Sequence, residues 1–214
     1  LFLPAIDAVR QTVSMQALES STGRLLWQTE LHCGGLLPIP ARGSQTSTTP
    51  ACDGRHVYIA SAVNSSLWVS AIDLTGRIVW QREAGPYYSK WGYSSSPVIY
   101  KSTVIVAADN RGTGIDRLAG ASSLVALHRH TGEIVWRIRR PAADNLGTPV
   151  VARIAGRDQL LLAGKGQIHS YDPATGNSLW SCNWSAERAM NSVAFDDQHV
   201  YASARQPRPE MLCI

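Results

Sequence analysis

The chain has 214 residues, of which 44% are hydrophobic and 17% charged, with a formal net charge of +4. That apolar share suffices for a packed core, and the composition is that of a globular domain rather than a disordered one. No run reaches the ~18 apolar residues that would suggest a membrane-spanning helix. The basic residues are scattered, which argues against a phosphate-tracking nucleic-acid binder.

In chain order the pattern is of short alternating runs, the period-two signature of strands. "LFLPAI" reads as the second strand of a first unit whose opening strand is missing, and "VSMQALE" and "RLLW" as the strands that follow, giving a unit of about 1–31. After the loop Leu31 to Ser47, a second unit of about 48–83 opens on "TTPACDGRHVYIASA" and continues with "LWVSAID" and "RIVW". The loop Ala84 to Ser94 leads to a third unit of about 95–139, built from "SSPVIYKSTVIVAAD", "SLVALH" and "EIVW", with a long internal loop from Asp109 to Ala121. The segment Arg139 to Gly147 precedes a fourth unit of about 148–183, "GTPVVARIAGRDQLLLAG", "QIHSYD" and "NSLW". "NSVAFDDQHVYASA" and the closing "MLCI" begin a fifth, about 191–214. Leu1 is not a methionine and the last run is strand-like, so both ends read as cut.

One motif joins the last two strands of each of the first four units: "ESSTGRLLW" (Glu19–Trp27), "DLTGRIVW" (Asp73–Trp80), "HRHTGEIVW" (His128–Trp136) and "DPATGNSLW" (Asp172–Trp180). Its glycines, Gly23, Gly76, Gly132 and Gly176, are spaced by 53, 56 and 44 residues. A period near 40–50 residues marks a propeller or solenoid array. Glycine suits a positive-φ position in a hairpin turn, and the acidic residue upstream of Thr-Gly can accept the turn's N–H groups. Four tryptophans at one repeat position, Trp27, Trp80, Trp136 and Trp180, read as packing between sheets rather than ligand stacking. Pro50, Pro97 and Pro149 share a place that Ser192 takes in the last copy. Proline belongs on a sheet edge, so each unit's first strand is an edge, placed beside a central axis. The expected fold is all-β, a β-propeller of four-stranded antiparallel blades with about four blades present.

The pattern [Ala/Ser]-x-[Asp/Glu/His]-x-x-Thr-Gly-x-x-x-Trp resembles the tryptophan docking motif of the pyrroloquinoline-quinone-like repeat propellers. Ala17–Trp27, Ala126–Trp136 and Ser170–Trp180 match its full length, and Ala71–Trp80 is one residue short. The resemblance implies part of a seven- or eight-bladed ring, in one of two branches. Quinoprotein dehydrogenases are periplasmic enzymes that hold the quinone and calcium at the propeller centre and commonly carry two adjacent cysteines. BamB-like proteins are non-enzymatic scaffolds of the cell envelope. This chain has no Cys-Cys pair, and no residue matches a catalytic base, so the resemblance implies a non-enzymatic, BamB-like scaffold that uses no cofactor and binds protein or peptide partners. A quinoprotein fragment using the quinone and calcium, or a sensor domain fused to a signalling protein, is the alternative.

Strand parity puts the long loops on one face of such a propeller, where binding on rigid scaffolds usually resides. "GPYYSKWGYSS", with Tyr87, Tyr88, Trp91 and Tyr93, reads either as a partner-binding surface or as aromatic packing between blades. "DNRGTGID" (Asp109–Asp116) has oxygen ligands and glycines without EF-hand spacing and reads as a hairpin loop rather than a calcium site. His128 and His130 read as a turn variant rather than a metal pair. GxSxG, HExxH and GxxxxGK[ST] motifs are absent. Arg137, Arg139 and Arg140 read as a solvated strand end, with Arg140 on the opposite face from the other two. Cys33, Cys52, Cys182 and Cys213 form no CxxC pair; they read as buried free thiols, with a Cys33–Cys52 bridge as the alternative. An open partial ring is expected to expose apolar blade faces and self-associate.

Overall fold

In a computed structural model, which describes residues 1–40, 43–110, 122–141, 145–187, 190–204 and 207–214, the described residues form strands and turns with no helix. The chain is an all-β propeller segment of consecutive antiparallel sheets. The first sheet holds β1 (Phe2–Asp7), β2 (Thr12–Leu18) and β3 (Leu25–Cys33). The second has β4 (Ala51–Cys52), β5 (His56–Val63), β6 (Ser66–Asp73) and β7 (Ile78–Pro86). The third has β8 (Val98–Tyr100), β9 (Thr103–Ala108), β10 (Ser123–His128) and β11 (Ile134–Arg139), and the fourth β12 (Val150–Ile154), β13 (Arg157–Ala163), β14 (Gln167–Tyr171) and β15 (Ser178–Asn183). A fifth holds β16 (Ala194–Phe195), β17 (Val200–Ala204) and β18 (Glu210–Cys213). Strand order within each sheet follows chain order, so every connection within a blade is a hairpin.

The hairpin chemistry recurs. Asp73 Oδ1 accepts hydrogen bonds from the backbone N–H of Thr75 and of Arg77, both at 3.0 Å, and from the Thr75 hydroxyl at 2.6 Å. Gly76 closes that turn at φ 93°, a conformation costly for any residue with a Cβ. The register then slips at the same point in four blades. Ala17, Ala71, Ala126 and Ser170 stand directly across from Trp27, Trp80, Trp136 and Trp180, and the next pair skips one residue. The skipped residues are Leu26, Val79, Val135 and Leu179. A bulged residue is unpaired and turned out of the ladder, and Leu26 and Val135 are each 52% exposed. The small residue that opens the motif is the one paired directly across from the tryptophan, at the last rung before the bulge.

The core lies between sheets. Val13, Met15 and Leu31 meet Val57, Ile59 and Ile72 between the first and second. Tyr58, Ala60, Val69 and Ala71 meet Val104, Val106 and Leu127 between the second and third. Ile105, Leu124 and Ala126 meet Leu160, Leu162 and Tyr171 at the next boundary, and Leu161 and Ile168 meet Val200 and Ala202 at the last. Strands buried on both faces explain the near-continuous apolar runs of β9 and β13.

The outer face of the first sheet is polar along β2 and β3, whereas the far end exposes apolar side chains. On β2 and β3, the residues turned away from the second sheet are Thr12, Ser14, Gln16, Gln28 and Glu30, which line a shallow polar hollow with Asp7 and Arg10. Gln16 Nε2 donates to Gln28 Oε1 at 2.9 Å across this face. At the other end Met211 is 78% exposed. The cysteines are free; Cys33, Cys52 and Cys213 are exposed and Cys182 half-buried, which corrects the expectation of buried thiols. They sit on edge strands or in turns, where no neighbouring sheet covers them.

Candidate functional site

Three of the four indoles dock forward along the ring. Trp27 Nε1 donates to Leu74 O at 2.9 Å, and Trp80 Nε1 to Arg129 O at 2.9 Å; both acceptors lie in the Thr-Gly turn of the following blade. A Cβ on Gly76 would stand 2.9 Å from Trp27 Cδ2, on Gly132 2.7 Å from Trp80 Cε3, and on Gly176 2.9 Å from Trp136 Cε3. Each of these three tryptophans therefore seats on the next blade's glycine, not on the glycine of its own turn. The residue two places after each indole completes the contact: Thr29 donates to Gly76 O, Arg82 Nε to Gly132 O at 3.1 Å, and Ile138 touches Gly176. Two positions depart from this. Trp136 Nε1 is buried without a partner, and Trp180 Nε1 donates to Gln159 Oε1 of its own blade at 2.8 Å.

A second ladder runs along the inner edge. The N–H of Thr49 donates to Ser96 Oγ at 2.9 Å, and the N–H of Ser96 to Thr148 Oγ1 at 2.9 Å. These hydroxyls immediately precede Pro50, Pro97 and Pro149, so the inner strands of three blades are stitched by one repeated dipeptide. The sequence signal was a hydroxyl before each proline; only the proline was legible as structural.

On the long-loop face, the aromatic segment is taken into the structure. Tyr87 is 2% and Tyr93 1% exposed, their rings packed edge to face at 5.0 Å within the core between the second and third sheets. Tyr87 Oη donates to Gly92 O at 3.0 Å and Tyr93 Oη to Ala107 O at 2.9 Å. This removes both from the expected partner surface, because each ring packs into that core and each hydroxyl is bonded to a backbone carbonyl. Tyr88 and Trp91 stay half-buried, and the exposed Lys90 holds its ammonium 4.9 Å from the Trp91 ring. The preceding long loop pairs with this one: Ser44 N–H donates to Trp91 O at 3.2 Å and Ser47 N–H to Tyr93 O at 3.0 Å.

Asp109 and Asn110 directly follow β9, and they work in opposite directions. Asn110, 1% exposed, receives Tyr88 N–H at 2.8 Å and donates to Pro86 O at 3.0 Å, clamping the aromatic segment. Asp109 accepts Arg140 Nε at 2.9 Å and Nη2 at 3.2 Å, and Asn145 Nδ2 at 3.0 Å. Arg140 Nη1 donates to Tyr171 Oη of the fourth blade at 2.9 Å, and His169 stacks on that ring at 5.7 Å. Both side chains of the ion pair are almost fully buried, 1% and 2% exposed. Arg140 is thus no solvated strand end: the residue just after β11 turns inward and meets a carboxylate far off in sequence. Burial opposes its charge, and Asp109 more than restores it, so its pKa rises. Burial, with the Arg140 charge adding to it, lowers the His169 pKa to about 4. Burial also raises the Tyr171 phenol.

These commitments bear on the quinone and calcium of the alternative reading. Asp109, the first oxygen donor of "DNRGTGID", is held by Arg140 and Asn145, and residues 111–116 lie outside the described residues. Among the described residues, no three His, Cys, Asp or Glu side chains converge as an ion cage. The cysteines are separate in sequence. Asp109 is therefore already committed to Arg140 and Asn145 and is not free to hold a calcium ion.

Stacked four-stranded sheets joined by forward-docking tryptophans define a repeat β-propeller of the pyrroloquinoline-quinone-like class. Residues 8–123 match the family described as outer membrane protein assembly factor BamB, and the chain belongs to that family. The crystal structure of BamB from Moraxella catarrhalis is similar at TM-score 0.57 and 17% identity, over 99% of this chain and 61% of that one. The quinohemoprotein alcohol dehydrogenase ADHIIG from Pseudomonas putida HK5 is similar at TM-score 0.66 and 16% identity, over 94% of this chain and 42% of that one. A europium-containing methanol dehydrogenase gives TM-score 0.65 and 12% identity, over 98% of this chain and 48% of that one. Among curated proteins, the tetrathionate hydrolase of Acidithiobacillus ferrooxidans is 26% identical over 179 residues, which is 78% of this chain and 30% of that protein. The chain spans less than two thirds of each relative.

Proposed function

We propose that the chain is part of a non-catalytic, BamB-like propeller scaffold of the cell envelope that binds protein or peptide partners through its long-loop face. Membership of the BamB family carries this reading. The loop chemistry agrees with it. The strongest polar groups on that face, Asp109, Asn110, Arg140 and Asn145, are spent on bracing blades together, while Tyr88, Lys90 and Trp91 keep exposed surface. A half-exposed aromatic beside a cation is a common anchor for a partner chain. The test is photo-crosslinking of the full-length protein in envelope extract with a reactive group at position 90. The expected result is a discrete crosslinked protein, lost in Trp91→Ala. Labelling unchanged by Trp91→Ala, or no crosslink at all, counts against the loop face.

A second reading rests on the tetrathionate hydrolase likeness over 78% of the chain and on the +4 charge, which favours anionic substrates. Incubating the full-length protein with tetrathionate and following thiosulfate and sulfate decides it: turnover would replace the scaffold reading.

A further inference from the structure

We propose that the acidic turn of the fifth blade is the receptor half of an ion-pair clasp between blades. Its Asp196 carboxylate takes an arginine or lysine from the hairpin turn of a further blade of the same protein, in the stretch that follows Ile214.

The second blade shows the clasp closed. Asp53 Oδ1 accepts the N–H groups of Arg55 at 2.9 Å and His56 at 2.8 Å, and Oδ2 accepts the Tyr58 hydroxyl at 2.9 Å. Arg129, from the Thr-Gly turn of the third blade, brings Nη1 to 3.6 Å from Asp53 Oδ2, and the aspartate side chain is left 6% exposed. Trp80 Nε1 on Arg129 O fixes the arginine's place in that turn. The clasp is not a general feature of the fold. Tyr100 and Ile154 stand at the place of Asp53 in the third and fourth blades, and Pro173 stands at the place of Arg129 in the turn that follows Tyr100. Acid and cation occur together at one boundary and are both missing at the next.

The fifth blade carries the same receptor, open. Asp196, His199 and Tyr201 have the spacing of Asp53, His56 and Tyr58. Asp196 Oδ1 accepts the N–H groups of Gln198 at 2.8 Å and His199 at 2.7 Å, and Oδ2 accepts the Tyr201 hydroxyl at 2.7 Å. These hydrogen bonds, the Gln198 N–H first, hold the carboxyl well below the usual carboxylate range, so it keeps its charge. Yet the Asp196 side chain is 49% exposed, and among the described residues its one ion-pair partner is His199 of its own turn, at 3.2 Å.

The surface beside it matches a closed boundary. Tyr201 pairs with Cys213 and Ser203 with Met211, where the second blade pairs Tyr58 with Ala71 and Ala60 with Val69. Cys213 thus holds the small-residue place that opens the Thr-Gly motif. Val69 is fully buried in the core shared with the third blade, whereas Met211 is 78% exposed. An apolar patch beside an unmatched carboxylate, in the register of the Asp53 face, fits a blade that brings the complementary cation. The chain covers 61% of the similar BamB structure, so such a blade has room in the full-length protein.

The experiment puts a photo-crosslinking residue in place of Met211 in the full-length protein and maps the products by mass spectrometry. The expected product is intramolecular and joins position 211 to a stretch beyond Ile214, whose hairpin turn carries arginine or lysine at the place aligned with Arg129. Asp196→Lys should lower the melting temperature, and exchanging the two charges should recover most of that loss. A crosslink to a second copy or to another protein, no crosslink, a facing turn without a basic residue, or no recovery on charge exchange overturns the proposal.

Discussion

Trp80 and Gly132, 52 positions apart in sequence, are in contact: a Cβ on the glycine would stand 2.7 Å from the indole. Both lie in copies of the same motif, yet the partners come from different copies. The repeat is therefore a forward lock in which each blade supplies a key for the next blade's turn and a turn for the previous blade's key.

This separates two costs of replacing the turn glycines. Gly23, Gly76 and Gly132 all have positive φ, of 72°, 93° and 72°, but a Cβ on Gly23 meets nothing within 4 Å. Gly23→Ala should lose only the backbone preference, about 1 kcal/mol. Gly132→Ala should lose that plus an overpacking cost of roughly 1–3 kcal/mol. Urea denaturation of the two variants measures the difference, and equal losses would mean the indole does not seat there.

The indole N–H groups are not equivalent either. Trp80 Nε1 is bonded at 2.9 Å, whereas Trp136 Nε1 is buried unpaired. Replacement by phenylalanine costs packing at both positions but a hydrogen bond only at Trp80. Trp80→Phe should therefore be more destabilising than Trp136→Phe by about 1 kcal/mol, read from paired denaturation midpoints.

Removing one partner of the buried ion pair strands the other. Arg140→Ala or Asp109→Ala should each cost about 3–5 kcal/mol. The double variant Arg140→Met/Asp109→Leu should recover much of that loss, since the charges' desolvation disappears with them. A double-mutant cycle by chemical denaturation checks both statements.

Acid should weaken the chain before the carboxylates titrate. The folded-state pKa of His169 is lowered from 6.5 to about 4 by burial and then by Arg140, and burial lowers that of His32 as well. A histidine kept neutral by the fold binds more protons when unfolded. Its contribution is fully present above pH 6.5 and falls as pH drops from 6.5 towards 4. Melting temperatures between pH 7.5 and 4 should show this decline, and His169→Gln should flatten it.

The Thr-Gly turns, the alternating strands and the four-fold Trp position are all local patterns, and each follows from period and propensity. That is why the sheets and their order could be read from residues alone. The loop tyrosines were visible as a cluster, but whether they faced solvent or core was not, because burial depends on which loop lies opposite. Tyr93 is buried by Ala107 and by the Leu37 loop, and no local rule brings those segments together.

The same distinction holds across the molecule. Sequence by itself determined the blade, since hairpin pairing is set by turn chemistry and by alternation over a few residues. Only the tertiary structure decided which copy of a motif meets which, why Asp109 pairs with Arg140, and how His56 comes to stand beside His130. Those partners are chosen by the stacking of successive sheets, a long-range packing relation that no short stretch of chain encodes.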